Sequence, residues 1–184
     1  MSGRENVEHD VSRRRFVGTL IGLCTTTALI PKFARAEAVR ELRFYHTHTD
    51  ERLSIVYRDA NGYIPDALEE LARFLADFRT GERMPIDPAL FDILSSVQQL
   101  TDSTGTYEVI SGYRSPATNA ALHEHSAGVA EHSLHMVGKA IDVRLTDVPL
   151  ERLRDAAWSL QLGGVGYYPA SDFVHIDTGR VRRW

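Results

Sequence analysis

Ser133-Leu134-His135-Met136-Val137-Gly138-Lys139-Ala140-Ile141-Asp142 and, further on, Asp172-Phe173-Val174-His175-Ile176-Asp177 decide how this chain is read. From Ala140 the residues alternate. Ile141, Val143 and Leu145 share one face, and Ala140, Asp142 and Arg144 share the other. In the second stretch Val174 and Ile176 face one way, while Phe173, His175 and Asp177 face the other. Period two is the signature of a strand with one apolar and one polar face. The polar faces carry Asp142 and His175, and His135 stands just ahead of the first strand. Two imidazoles and one carboxylate make a three-ligand set of the kind zinc uses when a fourth position stays open for water. An open zinc position acidifies bound water and polarises a carbonyl, as amide hydrolysis requires.

Working outward, Leu42–His46 and Leu53–Tyr57 read as strands, with a turn at Asn61-Gly62. Leu68, Leu71, Leu75 and Phe78 repeat at helical spacing and predict a helix over Pro65–Arg79. Pro88 opens a second helix after Asp87, with Leu90, Ile93, Leu94, Val97 and Leu100 as its buried stripe. Tyr107–Ile110 reads as a strand, and a third helix runs from Pro116 to about Ser126. Pro149–Leu162 reads as a fourth helix, and Val165–Tyr168 pairs with Phe173–Asp177 around Pro169-Ala170-Ser171. The order of elements predicts an α+β domain, with a mostly antiparallel sheet carrying the ligands and helices on one face.

The N-terminus is of another kind. Ser12-Arg13-Arg14-Arg15-Phe16-Val17 precedes a short, moderately apolar run ending near Ile30, and Ala34-Arg35-Ala36 offers a small-x-small cleavage site. The apolar run is shorter than the roughly 20 residues of a membrane span. Residues 1–36 therefore read as a twin-arginine export signal and residues 37–184 as the functional domain. After cleavage no stable membrane insertion is expected, and the destination is the periplasm. Removing the leader takes six of the 21 Lys and Arg and three of the 25 Asp and Glu, leaving a net charge of −7. An acidic domain is a poor partner for nucleic acid. The single cysteine, Cys24, leaves with the leader, which excludes disulfides and thiolate ligands from the domain.

Ser111-Gly112-Tyr113-Arg114-Ser115, then Ser133-x-His135-x-x-Gly138-x-Ala140-x-Asp142, then Phe173-Val174-His175-Ile176-Asp177-Thr178-Gly179 resemble the D-Ala-D-Ala zinc metallopeptidases. Their fold is of the hedgehog and lysostaphin kind. With Gly163-Gly164-Val165-Gly166-Tyr167-Tyr168-Pro169 and Trp184, the likeness is to a murein endopeptidase branch and covers essentially the whole chain. The resemblance implies zinc on His135, Asp142 and His175. It places Arg114 near a substrate carbonyl or carboxylate. It also implies hydrolysis of peptidoglycan cross-links, D-alanine to diaminopimelate or diaminopimelate to diaminopimelate. A carboxypeptidase or dipeptidase on the same scaffold, or a zinc-bound murein-binding module without turnover, are the alternatives.

The general base is open between two carboxylates. Related enzymes carry a glutamate three residues before the last histidine ligand. Here that position is Asp172, one methylene shorter, and it can reach the metal's water only from a turn. Asp177 shares a strand face with His175 and can serve as base or hold its imidazole. His132 is a candidate for substrate contact. His46 and His48 read as a solvated pair, and His123 and His125 point apart on their helix. Tyr167 and Tyr168 fit a cleft wall and ordinary aromatic packing equally well.

Overall fold

The described residues form one eight-stranded sheet. The computed structural model describes residues 39–125 and 130–184. The leader read over residues 1–36 and the expected helix end at Ser126 lie outside them. The described residues all fall in a compact unit spanning Arg35–Trp184. Strands β1 (Arg40–His46), β2 (Arg52–Asp59) and β3 (Gly62–Tyr63) form an antiparallel edge. β4 (Tyr107–Ser111) joins β1 in parallel. β5 (Ala140–Leu145), β7 (Phe173–Asp177) and β6 (Gly164–Tyr168) continue antiparallel, and β8 (Arg182–Arg183) closes the edge parallel to β6. The expected α+β class and mostly antiparallel sheet are what the chain forms. The two-residue strands β3 and β8 are too short to leave an alternation in the sequence.

Helices α1 (Pro65–Phe74), α2 (Pro88–Thr101) and α4 (Leu150–Ser159) pack against the sheet. Their Leu71, Phe74, Leu90, Phe91, Leu94 and Leu153 join Phe44, Val109, Ile141, Val143, Val174 and Ile176 in one core. Burying side chains of this size stabilises by about 1.5–3 kcal/mol each. Helix α3 (Pro116–His125) differs: it buries only Thr118 and Asn119 and adds nothing to that core. Asp92 on α2 accepts from Arg40, Tyr57, Arg58 and Tyr63, which fastens the β1–β3 edge to the helix layer.

Two helices are shorter than their apolar periodicity suggests. α1 stops at Phe74 because the Asp77 carboxylate draws the chain into a turn, accepting from the Arg79 and Ser115 amides. Thr80 and Gly81 then donate to the Asp77 carbonyl. α4 ends at Ser159, ahead of Gln161 in the left-handed region (φ 53°). Leu100, expected in the α2 stripe, is exposed in its last turn.

Candidate metal centre

Cross-strand register assembles the site. Ser111 on β4 stands opposite Asp142 on β5, Asp142 opposite His175 on β7, and His175 opposite Gly166 on β6. His135 comes from outside the sheet, on a short 3-10 helix, Leu134–Val137. The Ser133 hydroxyl caps its start by accepting from the His135 amide at 3.3 Å. Gly138 ends it at φ +66°, where a side chain would also strike the Pro85 carbonyl. A glycine is the residue that takes this conformation without strain. The His135 carbonyl accepts from the Arg114 amide at 3.2 Å, so the two site loops hold one another.

Three atoms converge. His135 Nε2 lies 3.2 Å from His175 Nδ1 and 3.2 Å from Asp142 Oδ1, and His175 Nδ1 lies 2.8 Å from Asp142 Oδ1. Each imidazole is held from its far side. His135 Nδ1 is 2.7 Å from the Gly112 carbonyl, which can only accept, so that nitrogen carries the proton and Nε2 presents its lone pair inward. His175 Nε2 donates to Asp177 Oδ2 at 3.1 Å, leaving Nδ1 for the centre. Ligands at about 2.0–2.2 Å around a tetrahedral ion sit roughly 3.3 Å apart, close to this triangle. The donor set therefore fits a divalent cation, and the outer hydrogen bonds are those that orient metal-bound histidines.

The electrostatics agree. His135, Asp142 and His175 are buried, and Asp177 is fully so. Burial works to raise the Asp142 pKa, but His135 and His175 outweigh it and hold the carboxyl well below the usual range. Burial likewise disfavours charge on His175, yet the hydrogen bonds to Asp142 and Asp177 push its pKa up to about 9 in the metal-free chain. Asp177 also stays ionised against its burial, held low by His175, Arg182 and the Gly179 and Gly164 amides.

The centre opens into a cleft of about 490 Å³ lined by Arg114, His132, Tyr168, Ser171, Arg182 and Trp184 as well as the ligand residues. Arg114 is buried; it donates to the Ser111 hydroxyl at 3.2 Å and sits 3.6 Å from Asp142 Oδ2. Its Nε has no hydrogen-bond partner among the described residues. Burial pulls the Arg114 pKa down, with Asp142 opposing.

The remaining expected residues are placed as follows. Asp172 belongs to the turn after a second 3-10 helix, Pro169–Ser171, with φ 53°. Its carboxylate is bound by Arg144 at 2.7 Å, two residues beyond Asp142 on β5 and so on the same sheet face. Asp177 accepts from the Gly164 and Gly179 amides, from both terminal nitrogens of Arg182 and from His175. His132 is exposed at the cleft. The reading of His46 as solvated is corrected, while His48 is exposed as expected. His46 is fully buried, because it ends an interior strand whose face is covered by Phe74 of α1 and by Phe78, and His48 stacks on Phe78 at 4.1 Å. Sequence reasoning missed Asp77, which pins the Ser115 amide, and Arg182, which neutralises Asp177. The regular spacing around Asp77 concealed a turn, and the strand holding Arg182 is only two residues long.

Fold and site together define an α+β metallopeptidase, its candidate metal-binding residues spread over two neighbouring strands and one preceding 3-10 helix. A family model described as peptidoglycan L,D-endopeptidase MepK matches residues 34–184, and the chain belongs to that family. Peptidoglycan L,D-endopeptidase MepK of Escherichia coli K12 is 40% identical over 179 residues, covering 95% of this chain and 98% of that protein. The probable peptidoglycan L,D-endopeptidase MepK of Haemophilus influenzae Rd is 40% identical over 180 residues, covering 95% and 96%. No solved structure matches the chain significantly.

Proposed function

We propose that this protein is an exported, zinc-dependent endopeptidase that hydrolyses L,D-type peptide cross-links of peptidoglycan, the diaminopimelate-to-diaminopimelate bridge. The observation that carries the reading is the convergence of His135 Nε2, His175 Nδ1 and Asp142 Oδ1 at 2.8–3.2 Å, each imidazole oriented from behind, at the floor of an open cleft. The names of the relatives supply the substrate class and the bond type.

His135, Asp142 and His175 would hold the zinc, which when bound acidifies a water and polarises a carbonyl. Arg114 donates to the carbonyl oxygen of the scissile amide as charge gathers there; buried and preformed, it needs no reorganisation. Asp172 takes the proton of the attacking water and returns it to the leaving amine. It sits in the turn before β7, its carboxylate bound by Arg144, which shares the Asp142 face of β5. Asp177 orients His175 instead. Five donors already address a carboxylate that has about four lone-pair sites. Its contact is with His175 Nε2, the ring atom turned away from the centre.

Export by the twin-arginine route and action in the periplasm complete the proposal. No helix among the described residues is long and apolar enough to cross a membrane. Replacing Arg13 and Arg14 with lysine should leave the protein in the cytoplasm; undiminished export would refute the route.

The test of activity is incubation with purified cross-linked muropeptide dimers, with zinc, with chelator, and as His175→Ala, reading products by mass. Zinc-dependent conversion of dimers to monomers, lost in the variant, is expected. Loss of terminal residues with dimers intact would make the enzyme a carboxypeptidase. Bound zinc without product would make it a binding module.

A further inference from the structure

Tyr168 lines the same cleft as the ligands, and its hydroxyl is held in an unusual way. Its ring stacks on Phe173 at 4.7 Å with an interplanar angle of 21°, which fixes the side chain against the neighbouring strand. Its hydroxyl oxygen accepts from Trp184 Nε1 at 2.7 Å. An indole nitrogen can only donate, so this bond occupies a lone pair and leaves the Tyr168 proton to be given elsewhere. No acceptor for that proton is present among the described residues.

Trp184 is itself clamped. Its amide donates to the Val165 carbonyl at 3.3 Å, and its carbonyl accepts from the Tyr167 amide at 3.0 Å. The indole lies where Gly166 has no side chain: a Cβ there would come within 2.7 Å of the ring. Its ring centroid is 5.4 Å from that of His175, and the Arg182 guanidinium covers it at 4.8 Å. Arg182 in turn binds Asp177 at 2.7 Å. The group that fixes the tyrosine hydroxyl thus belongs to the same rigid network that fixes a ligand.

We propose that Tyr168 is a further catalytic residue, its hydroxyl donating with Arg114 to the carbonyl oxygen of the scissile bond, and that Trp184 is the positioning residue that aims it. The inference rests on the hydrolytic reading above. A donor that is already accepting a hydrogen bond is polarised and donates more strongly, which suits an oxygen that becomes anionic in the tetrahedral transition state. Tyr168 and Arg114 line one cleft.

The experiment compares the zinc-loaded enzyme with Tyr168→Phe, Trp184→Phe and the double variant, on a cross-linked dimer that the parent cleaves. Parental turnover is the control for the hydrolytic reading: if the parent cleaves nothing, that reading fails, and this one falls with it. With an active parent, Tyr168→Phe retains the ring stack and should lower kcat about 10²–10³-fold, the usual loss of one oxyanion donor. KM and zinc content should stay within threefold. Trp184→Phe should lower kcat by a smaller factor, and the double variant should match Tyr168→Phe alone, because Trp184 acts through the hydroxyl. A phosphinate analogue of the tetrahedral state should lose affinity in Tyr168→Phe by the same factor as kcat/KM. Undiminished kcat in Tyr168→Phe, or a rise in KM alone, overturns the catalytic role. Multiplicative losses in the double variant overturn the link to Trp184. Should Tyr168→Phe fail to fold, the kcat-against-KM split of Trp184→Phe decides: unchanged kcat overturns the proposal.

Discussion

Asp177→Asn separates an orienting carboxylate from a catalytic one. The asparagine has the same shape, so the packing survives, but one of its two ends becomes a donor. If the amide nitrogen takes the Oδ2 place, it faces His175 Nε2–H and an Arg182 nitrogen, both donors. In the flipped orientation it faces the Gly164 and Gly179 amides and the other Arg182 nitrogen. Either way the hold on His175 is weakened or obtained by breaking backbone bonds. Loss of such a partner behind a metal-bound histidine lowers metal affinity about 10–100-fold, or about 1.4–2.7 kcal/mol. Arg182 also loses its counter-ion, but its side chain is 28% exposed and keeps the Arg180 carbonyl at 3.1 Å. The stability cost should therefore be about 1–3 kcal/mol, below that of a fully buried orphaned charge. Chelator competition gives the zinc affinity, thermal unfolding the stability, and turnover is followed over a zinc titration. Raising zinc should restore turnover to within about tenfold of the parent, the residual being poor imidazole orientation. Unchanged affinity with turnover down more than about 10³-fold at saturating zinc would refute the orienting role and make Asp177 the base.

Asp172→Asn should lower kcat by about 10²–10⁴ with zinc content unchanged, measured by turnover and elemental analysis; retained activity would remove Asp172 from the mechanism. Chelation should lower the unfolding midpoint, since zinc at about 1,000 times its dissociation constant contributes about 4 kcal/mol, or roughly 8–16 °C for a domain of this size. His46 gives a pH dependence. Burial first, and His48 second, lower its pKa, so the folded protein keeps it neutral while the unfolded chain protonates below about 6.5. Its contribution is therefore present above that pH and lost as pH falls. His46→Asn, with an oxygen to replace Nδ1 as acceptor for the His48 amide, should flatten that acid slope in urea midpoints relative to the parent. Gly138→Ala should cost more than about 1 kcal/mol and weaken zinc binding, because the backbone must leave φ +66° and displace the Pro85 carbonyl; a neutral effect on both would contradict the rigid 3-10 cap.

The ligand strands were legible because both the hydrophobic and the chemical pattern follow period two. Ile141 and Val143 point into the core as surely as Asp142 points away from it. The helices were legible in kind and not in extent. In α1 the apolar spacing continues past the point where Asp77 captures the Arg79 and Ser115 amides, and a side chain bonding across 38 residues leaves no periodic trace. The triad could be named from residue type and family resemblance. Asp177 behind His175 could be offered from their shared strand face, but the Gly112 carbonyl behind His135 and Arg182 behind Asp177 could not, being backbone or on a two-residue strand. His46 misled for a related reason. A histidine at the end of a strand reads as solvated unless Phe74 of α1 and Phe78 are known to lie against it.

The arrangement makes metal binding and folding one problem. The three candidate ligands come from a 3-10 helix and two paired strands, 7 and 33 residues apart along the chain, with the closest contact across the β5–β7 ladder. Packing of Ile141 against Ile176 in that ladder sets the register, and a slip of one residue by either strand would turn its Asp142 or His175 into the core. The hydrophobic face therefore specifies the coordination geometry before any cation arrives. Bringing a carboxylate and two imidazole lone pairs together costs free energy in the empty chain, which a proton on His175 partly offsets. A divalent cation held by the three residues would take the place of that proton. The site is thus built by apolar residues that never touch the metal, and a conservative change among them, such as Ile176→Ala, should impair zinc affinity as well as stability, whereas an equally destabilising change in α2, such as Leu94→Ala, should impair stability alone.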